Sequence, residues 1–204
     1  MPIVTCIEGN NSKLVKQVVE LYGNDARLIA DVTYGKGNFW NWNWCELLHT
    51  LLASDIEPSL PNVRKEDFTN LSYPDNYVDM LFLDPPYAYH APQYHNDAYK
   101  NQERYNTGVS EKSVLDLYQK GIDEAVRVVK PSGIICVKCC DQISGGKNRF
   151  DHIQIYIWAM WRNLLAEDLF ILKTTNNPMM RHDYQLHARK NHSYLWVFRN
   201  KKNS

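Results

Sequence analysis

The chain has 204 residues, 44% hydrophobic and 23% charged, proportions that suit one soluble globular domain and exclude a disordered or fibrous chain. Lys and Arg balance Asp and Glu at 23 each, no apolar run approaches the roughly 18 residues of a membrane span, and Met1-Pro2-Ile3-Val4-Thr5-Cys6 carries no secretory signal. Five cysteines, an odd number, offer no disulfide framework and point to a reducing, cytoplasmic setting.

The balance of charge is uneven along the chain. From Lys173 onward, Lys173, Arg181, Arg189, Lys190, Arg199, Lys201 and Lys202 face Asp183 alone, so this region carries roughly +6 and the remainder is correspondingly acidic. Such an asymmetry suggests an anionic partner near the C-terminus.

In chain order, Ser12 is placed to cap a helix to about Leu21, with Leu14, Val18 and Leu21 at helical spacing. Leu28 to Val32 reads as a buried strand, followed by Gly35-Lys36-Gly37 and an aromatic-rich helix from Phe39 to Leu48. Thr50 to Asp55 is a second strand, Asn62 to Lys65 a weaker third, and Val78 to Leu83 the clearest of all. The polar segment 88–108 lacks an apolar period and reads as a long loop, a feature that in a compact domain is usually functional. Ser110 opens a helix with Val114, Tyr118, Ile122, Ala125, Val126 and Val129 on one face. Lys130-Pro131-Ser132-Gly133 is turn chemistry before a strand from Ile134 to Lys138. Ile153 to Leu165 carries a helical pattern, and strands at Leu169–Thr174 and Tyr194–Arg199 close the sheet around a basic excursion, 175–192. Alternating strands and helices predict a single α/β domain over 1–204 with a mostly parallel sheet.

Two motifs carry chemistry. Asp31-Val32-Thr33-Tyr34-Gly35-Lys36-Gly37 sits where open α/β sheets bind ligands, beyond a strand's carboxyl end. Its glycines allow close backbone approach, and Asp55, about 20 residues past the loop, is placed to accept ribose hydroxyls. Asp67 follows the third strand and can meet an adenine amino group. The loop lacks the third glycine of the dinucleotide fingerprint, which excludes a nicotinamide or flavin oxidoreductase, and it lacks the Gly-Lys-Ser/Thr of a phosphate loop.

The second motif is Asp84-Pro85-Pro86-Tyr87. Consecutive prolines fix their φ angles and remove two N–H donors, which leaves a stiff turn with outward carbonyls. A carboxylate, rigid acceptors and an aromatic ring together suit a planar amino group. Its lone pair is delocalised into a base ring, and acceptors on its hydrogens make the nitrogen more nucleophilic. An ordinary Asp-Pro turn with a surface tyrosine is the plainer alternative.

With these motifs in this order, the chain resembles the S-adenosylmethionine-dependent amino-methyltransferases of nucleic acids, the DNA N6-adenine and N4-cytosine class. The resemblance spans Leu28 to Arg199 and includes Val128-Val129-Lys130-Pro131-Ser132-Gly133 and the closing His192-Ser193-Tyr194-Leu195-Trp196-Val197-Phe198-Arg199. It implies a Rossmann-like seven-stranded sheet, mostly parallel, with helices on both faces. It also implies a cofactor site of Asp31, Thr33, Tyr34, Gly35, Gly37, Asp55, Ile56, Asp67, Phe68 and Asp84, and a catalytic loop of Asp84, Pro85, Pro86 and Tyr87, with no metal. The family's cofactor loop often reads Asp-Pro-Phe where this chain has Asp31-Val32-Thr33.

Aspartate at the head of the tetrad favours N6 of adenine, and DNA is the preferred partner. RNA (N6-adenine or N2-guanine) and a catalytically silent nucleic-acid-binding subunit are the alternatives; a homodimer or partner subunit stays open. No separate recognition domain fits within the length, so target contacts fall to 88–108 and 175–192. Phosphate-contact candidates there are Lys100, Arg104, Arg181, Arg189 and Lys190; Tyr89, Tyr94, Tyr99, Tyr105 and Tyr184 are candidates for stacking. Cys136 and Cys139, at odd spacing on a strand, point to opposite faces rather than to a metal. Lys138 and Asp141 lie just past the same strand as candidate supporting groups, and Trp40, Trp42 and Trp44 as packing residues.

Overall fold

In a computed structural model of the chain, residues 2–42, 49–86, 111–174 and 186–202 are described. Most of the expected Phe39–Leu48 helix, the whole 88–108 loop, Tyr87 and the first part of the 175–192 excursion lie outside them.

The strand at the centre, β5 (Val78–Leu83), shows why a parallel sheet forms. Met80 and Phe82 alternate with Leu81 and Leu83, and all four are buried, so this strand is apolar on both faces. Met80 and Phe82 enter one core layer with α1 (Asn11–Tyr22), and Leu81 and Leu83 enter the other with α2 (Glu111–Val128) and α3 (Asp151–Trp161). Around β5 lie β1 (Cys6–Glu8), β2 (Leu28–Asp31), β3 (Thr50–Asp55), β4 (Arg64–Lys65), β6 (Val129–Cys139), β9 (Leu164–Lys173) and β10 (His192–Asn200). The sheet order is β1-β9-β10-β6-β5-β2-β3-β4, and β7 (Gln142–Ser144) with β8 (Lys147–Arg149) forms a separate antiparallel hairpin.

Among the described residues the sheet has eight strands rather than the expected seven, in mixed orientation. β10 runs antiparallel to both β6 and β9, and the extra strand, β1, pairs parallel with β9 through Cys6↔Ile171. Three residues are too few to show a period, so β1 is invisible to pattern reading.

Other departures have local causes. The cap of α1 is Asn10, whose carboxamide accepts the Lys13 N–H at 2.9 Å; Ser12 instead donates to the Asn41 carbonyl. β6 begins at Val129 and absorbs the Lys130–Gly133 turn as a register shift, since Val78 faces Val129 while Met80 faces Ile134. α3 ends at Trp161 and Asn163 turns the chain with φ 58°, so Leu164 and Leu165 belong to β9. Phe39 to Trp42 are not helical; Trp40 is buried and stacked on Trp42. Cys136 and Cys139 fall in opposite core layers, as their odd spacing requires. None of the described helices is long and apolar enough to cross a membrane.

Candidate functional site

The strands β2, β3 and β5 run parallel, so their carboxyl ends share one rim. On that rim Asp31 ends β2, Asp55 ends β3 and Asp84 follows β5. The loop after β2 is built by its own hydrogen bonds. Tyr34 N–H donates to the Ser54 carbonyl at 3.0 Å and Gly37 N–H to the Tyr34 carbonyl at 2.9 Å. Gly35 N–H donates to Asp55 Oδ2 at 2.8 Å, and Glu57 N–H to Asp55 Oδ1 at 3.0 Å. One carboxylate therefore clamps the glycine loop to the end of β3.

Both glycines have positive φ, 54° at Gly35 and 75° at Gly37. A Cβ at Gly37 would sit 2.8 Å from the Tyr34 hydroxyl, whereas at Gly35 the space is open for 4 Å. Gly37 thus keeps the turn tight, and Gly35 leaves a bare backbone facing free volume.

Asp31 is 1% exposed. It accepts Trp40 Nε1–H at 2.7 Å and Thr33 N–H at 3.1 Å. Desolvation by burial outweighs both hydrogen bonds and pushes its carboxyl up to about 7, with the nearby Asp84 and Asp55 charges adding to the rise. Tyr34, half-buried beside it, is likewise raised by burial and by the Asp31 charge.

Asp84 is tied to that loop. Its N–H donates to Thr33 Oγ1 at 2.7 Å, a link between chain segments 51 residues apart. The buried Lys138 places Nζ 3.4 Å from Asp84 Oδ2, while Asp84 Oδ1 is buried with no hydrogen-bond partner among the described residues. An unpaired buried carboxylate oxygen costs stability unless something else satisfies it, which makes it the clearest sign of a ligand group on this rim. Pro85 is buried and Pro86 half-buried behind it.

Asp67 bonds within its own turn, accepting Thr69 N–H at 2.8 Å and Thr69 Oγ1–H at 2.7 Å. Ile56 is half-buried beside Asp55, and Phe68 lies in the core beneath α2, where a Cβ on Gly121 would be 3.1 Å from its ring. Of the predicted set, Asp31, Thr33, Gly35, Gly37, Asp55 and Asp84 are drawn together by direct contacts; Tyr87 lies outside the described residues.

Asp141, a supporting candidate from the sequence, belongs to a neighbouring cluster whose other members sequence reading missed. Asp141, just beyond β6, accepts His152 Nδ1–H at 2.7 Å, and His152 stacks on Tyr194 with ring centres 4.3 Å apart. The Tyr194 hydroxyl lies 2.9 Å from His192 Nε2, and burial followed by the Asp141 charge pushes it up to about 12. These residues come from β6, α3 and β10, and no spacing along the chain connects them. Among the described residues no group of three or more potential ligands could hold a metal ion.

The chain matches no protein-family model, and no curated protein is similar in sequence. Solved structures do resemble it. The N-methyltransferase NodS of Bradyrhizobium japonicum superposes with TM-score 0.56 at 11% identity, over 93% of this chain and 96% of NodS. The 4+2 cyclase SpnF superposes with TM-score 0.54 at 15% identity, over 78% of this chain and 60% of SpnF. The PvuII cytosine-N4 DNA methyltransferase reaches only 0.49 at 12% identity, over 66% of this chain and 47% of that enzyme, too little to speak to fold or substrate. The fold is therefore the Rossmann-like methyltransferase fold, a mostly parallel sheet with helices on both faces. Because a cyclase also wears it, function rests on the site rather than on the fold.

Proposed function

We propose that this chain binds S-adenosylmethionine beyond β2, β3 and β5 and transfers its methyl group to an exocyclic amino group of a nucleic-acid base, with N6 of adenine in DNA the first candidate. One observation carries the reading: the glycine loop and the Asp84-Pro85-Pro86 turn are joined through Thr33 and Asp84, and Asp84 keeps one buried oxygen without a partner among the described residues.

The residues present fit the cofactor. The open space at Gly35 admits a ligand against the backbone. Asp55 holds the glycine loop through both of its oxygens, at the strand end from which a carboxylate meets ribose hydroxyls in nucleoside-binding folds of this kind. We assign the adenine to Ile56 and Asp67, and the Asp31 carboxylate favours a cationic ligand. When bound, the cofactor supplies an electrophilic methyl group on sulfur.

The remaining chemistry belongs to the protein. Asp84 Oδ1 accepts one hydrogen of the target amine and the Pro85 carbonyl the other. This draws the nitrogen lone pair away from the base ring and towards the methyl carbon. Methyl transfer would break the carbon–sulfur bond, release the sulfur as a neutral thioether and leave the nitrogen with a proton to lose, and Asp84 Oδ1 would be its first acceptor. Lys138 holds the opposite oxygen, so the free one faces the amine. Holding both reactants in line lowers the barrier by about 7–11 kcal/mol, more than any one hydrogen bond supplies. A base in a duplex must first be flipped, at a cost of a few kcal/mol, and stacking on Tyr87, next in sequence, offsets part of that.

Incubating the protein with methyl-labelled cofactor and duplex DNA, single-stranded DNA or bulk RNA, then digesting to nucleosides, tests the reading. Label in N6-methyladenine from DNA is expected. Label confined to RNA would replace the substrate, and no label in any polymer would overturn the reading.

A further inference from the structure

The helix α3 has more apolar surface than its place in the fold uses. From Ile153 to Trp161 it carries no charged residue. On its inner side Ile155 and Ala159 are fully buried, and Trp158 packs against the same core. On its outer side Ile153 is 45% exposed, Tyr156 39% and Trp161 71%. The half-buried Ile157 and Met160 complete the series, so 153, 156, 157, 160 and 161 form one stripe at i, i+3, i+4, i+7 and i+8. Tyr156 also stacks on Trp196 of β10, ring centres 5.2 Å apart, which fixes the middle of the stripe to the sheet. A helix apolar on every side is ordinarily buried on every side, and this one has an open face among the described residues.

The stripe leads away from the rim. α3 begins at the rim, where His152 bonds to Asp141 just past the end of β6. Its eleven residues cover about 16 Å. They lead into Leu164, which faces Asn200, at the end of β10 away from the rim-side pair Tyr194↔Cys139. Trp161, the most exposed member, therefore lies towards the end of the sheet opposite Asp31, Asp55 and Asp84.

We infer that this stripe is where two copies of the chain meet, α3 against α3 across a two-fold axis near Ile157. Area, pattern and charge support a second copy as the occupant. Taking roughly 150–250 Å² for a large side chain, the five expose roughly 400 Å². A standard interface buries about 800 Å² per partner, a little over half of it apolar, so the stripe supplies nearly all of that apolar share. A two-fold axis runs the helices antiparallel and sets Ile153 of each copy against Trp161 of the other, a smaller side chain opposite the largest. The flanking charges are already matched: Arg162 pairs with Asp123 at one end, Asp141 with His152 at the other, and Asp151 is buried. Nothing in the stripe repels its own copy, and nothing in it offers a cation to a polyanion. A contact of this kind is isologous and closes at two chains, with both rims left open. The inference is independent of the methyl-transfer reading.

Analytical ultracentrifugation of the full chain between about 1 and 100 μM, a range that spans weak to moderate interfaces of this size, tests it. Wild type, Trp161→Glu and Ile153→Glu are compared, with Leu60→Glu, at a remote exposed leucine, as control. Wild type is expected to approach twice the 23.9 kDa of one chain as concentration rises. Trp161→Glu and Ile153→Glu should each raise the dissociation constant at least about 30-fold, as for a central aromatic or aliphatic contact, while Leu60→Glu leaves it unchanged. The Tm of dilute samples should agree across all four chains, which identifies any variant that fails to fold, and only wild type and the control should gain Tm with concentration. A dimer that survives Trp161→Glu, a dimer weakened equally by Leu60→Glu, or a mass that keeps growing past two chains would overturn the inference. A wild type that stays monomeric throughout would overturn it as well and give the stripe to a different partner.

Discussion

The two halves of the rim differ in charge. The ends of β2 to β5 present Asp31, Asp55, Asp67 and Asp84, each tied down by backbone N–H groups or a neighbouring turn. The ends of β6 and β10, with the hairpin between them in sequence, carry both signs: Lys138, Lys147 and Arg149 beside the buried Asp141 and Asp151. An overall balance of 23 basic and 23 acidic residues conceals this division. We assign the cationic cofactor to the first half and the nucleic acid to the second, and the Lys138–Asp84 contact at 3.4 Å marks where they meet.

Substitutions confined to one half should leave the other half's ligand untouched. Of the substitutions that act on cofactor binding, Asp55→Ala has the largest expected effect, because it frees the glycine loop and removes the proposed ribose acceptor. Losing charged hydrogen bonds worth about 1.5–3 kcal/mol lowers cofactor affinity about 10- to 100-fold, read by isothermal titration calorimetry. DNA affinity should stay within twofold; if it falls in step, the halves are not separable. Gly37→Ala follows, because a side chain at φ 75° beside the Tyr34 hydroxyl costs about 1–2 kcal/mol. A lower Tm and a roughly 5- to 30-fold weaker cofactor are expected, and an unchanged loop would show that backbone strain is not at issue. Lys138→Met acts at the boundary. It should lower the methyl-transfer rate by about 10-fold while both binding constants hold, since a single charge-assisted contact is worth about 1.5–3 kcal/mol when buried and well aligned and less at 3.4 Å.

The smallest effect is a pH dependence. The Asp31 carboxyl rises from 3.8 to about 7 in the fold, so the folded chain binds this proton more tightly than the unfolded one. Its share of stability therefore declines as pH rises from about 4 to about 7 and levels off above. A cationic cofactor favours the ionised form, so its affinity should climb several-fold between pH 6 and pH 8, compared with a flat profile for Asp31→Asn. A flat wild-type profile would mean that Asp31 does not face the cation.

Legibility in the sequence followed the length and purity of each pattern. β3 and β5 were readable end to end because each is six residues of uninterrupted strand chemistry meeting a charged turn. The glycine loop and the Asp84 turn were readable because their residue types have few alternative uses at strand ends. β1 and the hairpin were not: three-residue strands show no period, and Ser144-Gly145-Gly146-Lys147 resembles any polar loop. α3 was extended too far because Leu164 and Leu165 keep helical spacing although Asn163 has already turned the chain. The contacts that assemble the site, Thr33 with Asp84 and Lys138 with Asp84, join positions more than 50 residues apart. Only the packed sheet brings such pairs into view.

The central claim is that Asp84 acts on the amine and not on the cofactor. Single-turnover methyl transfer to duplex DNA, measured for wild type, Asp84→Asn and Asp84→Ala with cofactor affinity determined on the same samples, tests it most directly. The account predicts a rate about 10²- to 10³-fold lower for Asp84→Ala, as for loss of one preorganised transition-state contact, with cofactor affinity within a few-fold of wild type. Equal rates in wild type and Asp84→Ala, or a loss explained wholly by failure to bind the cofactor, would contradict it.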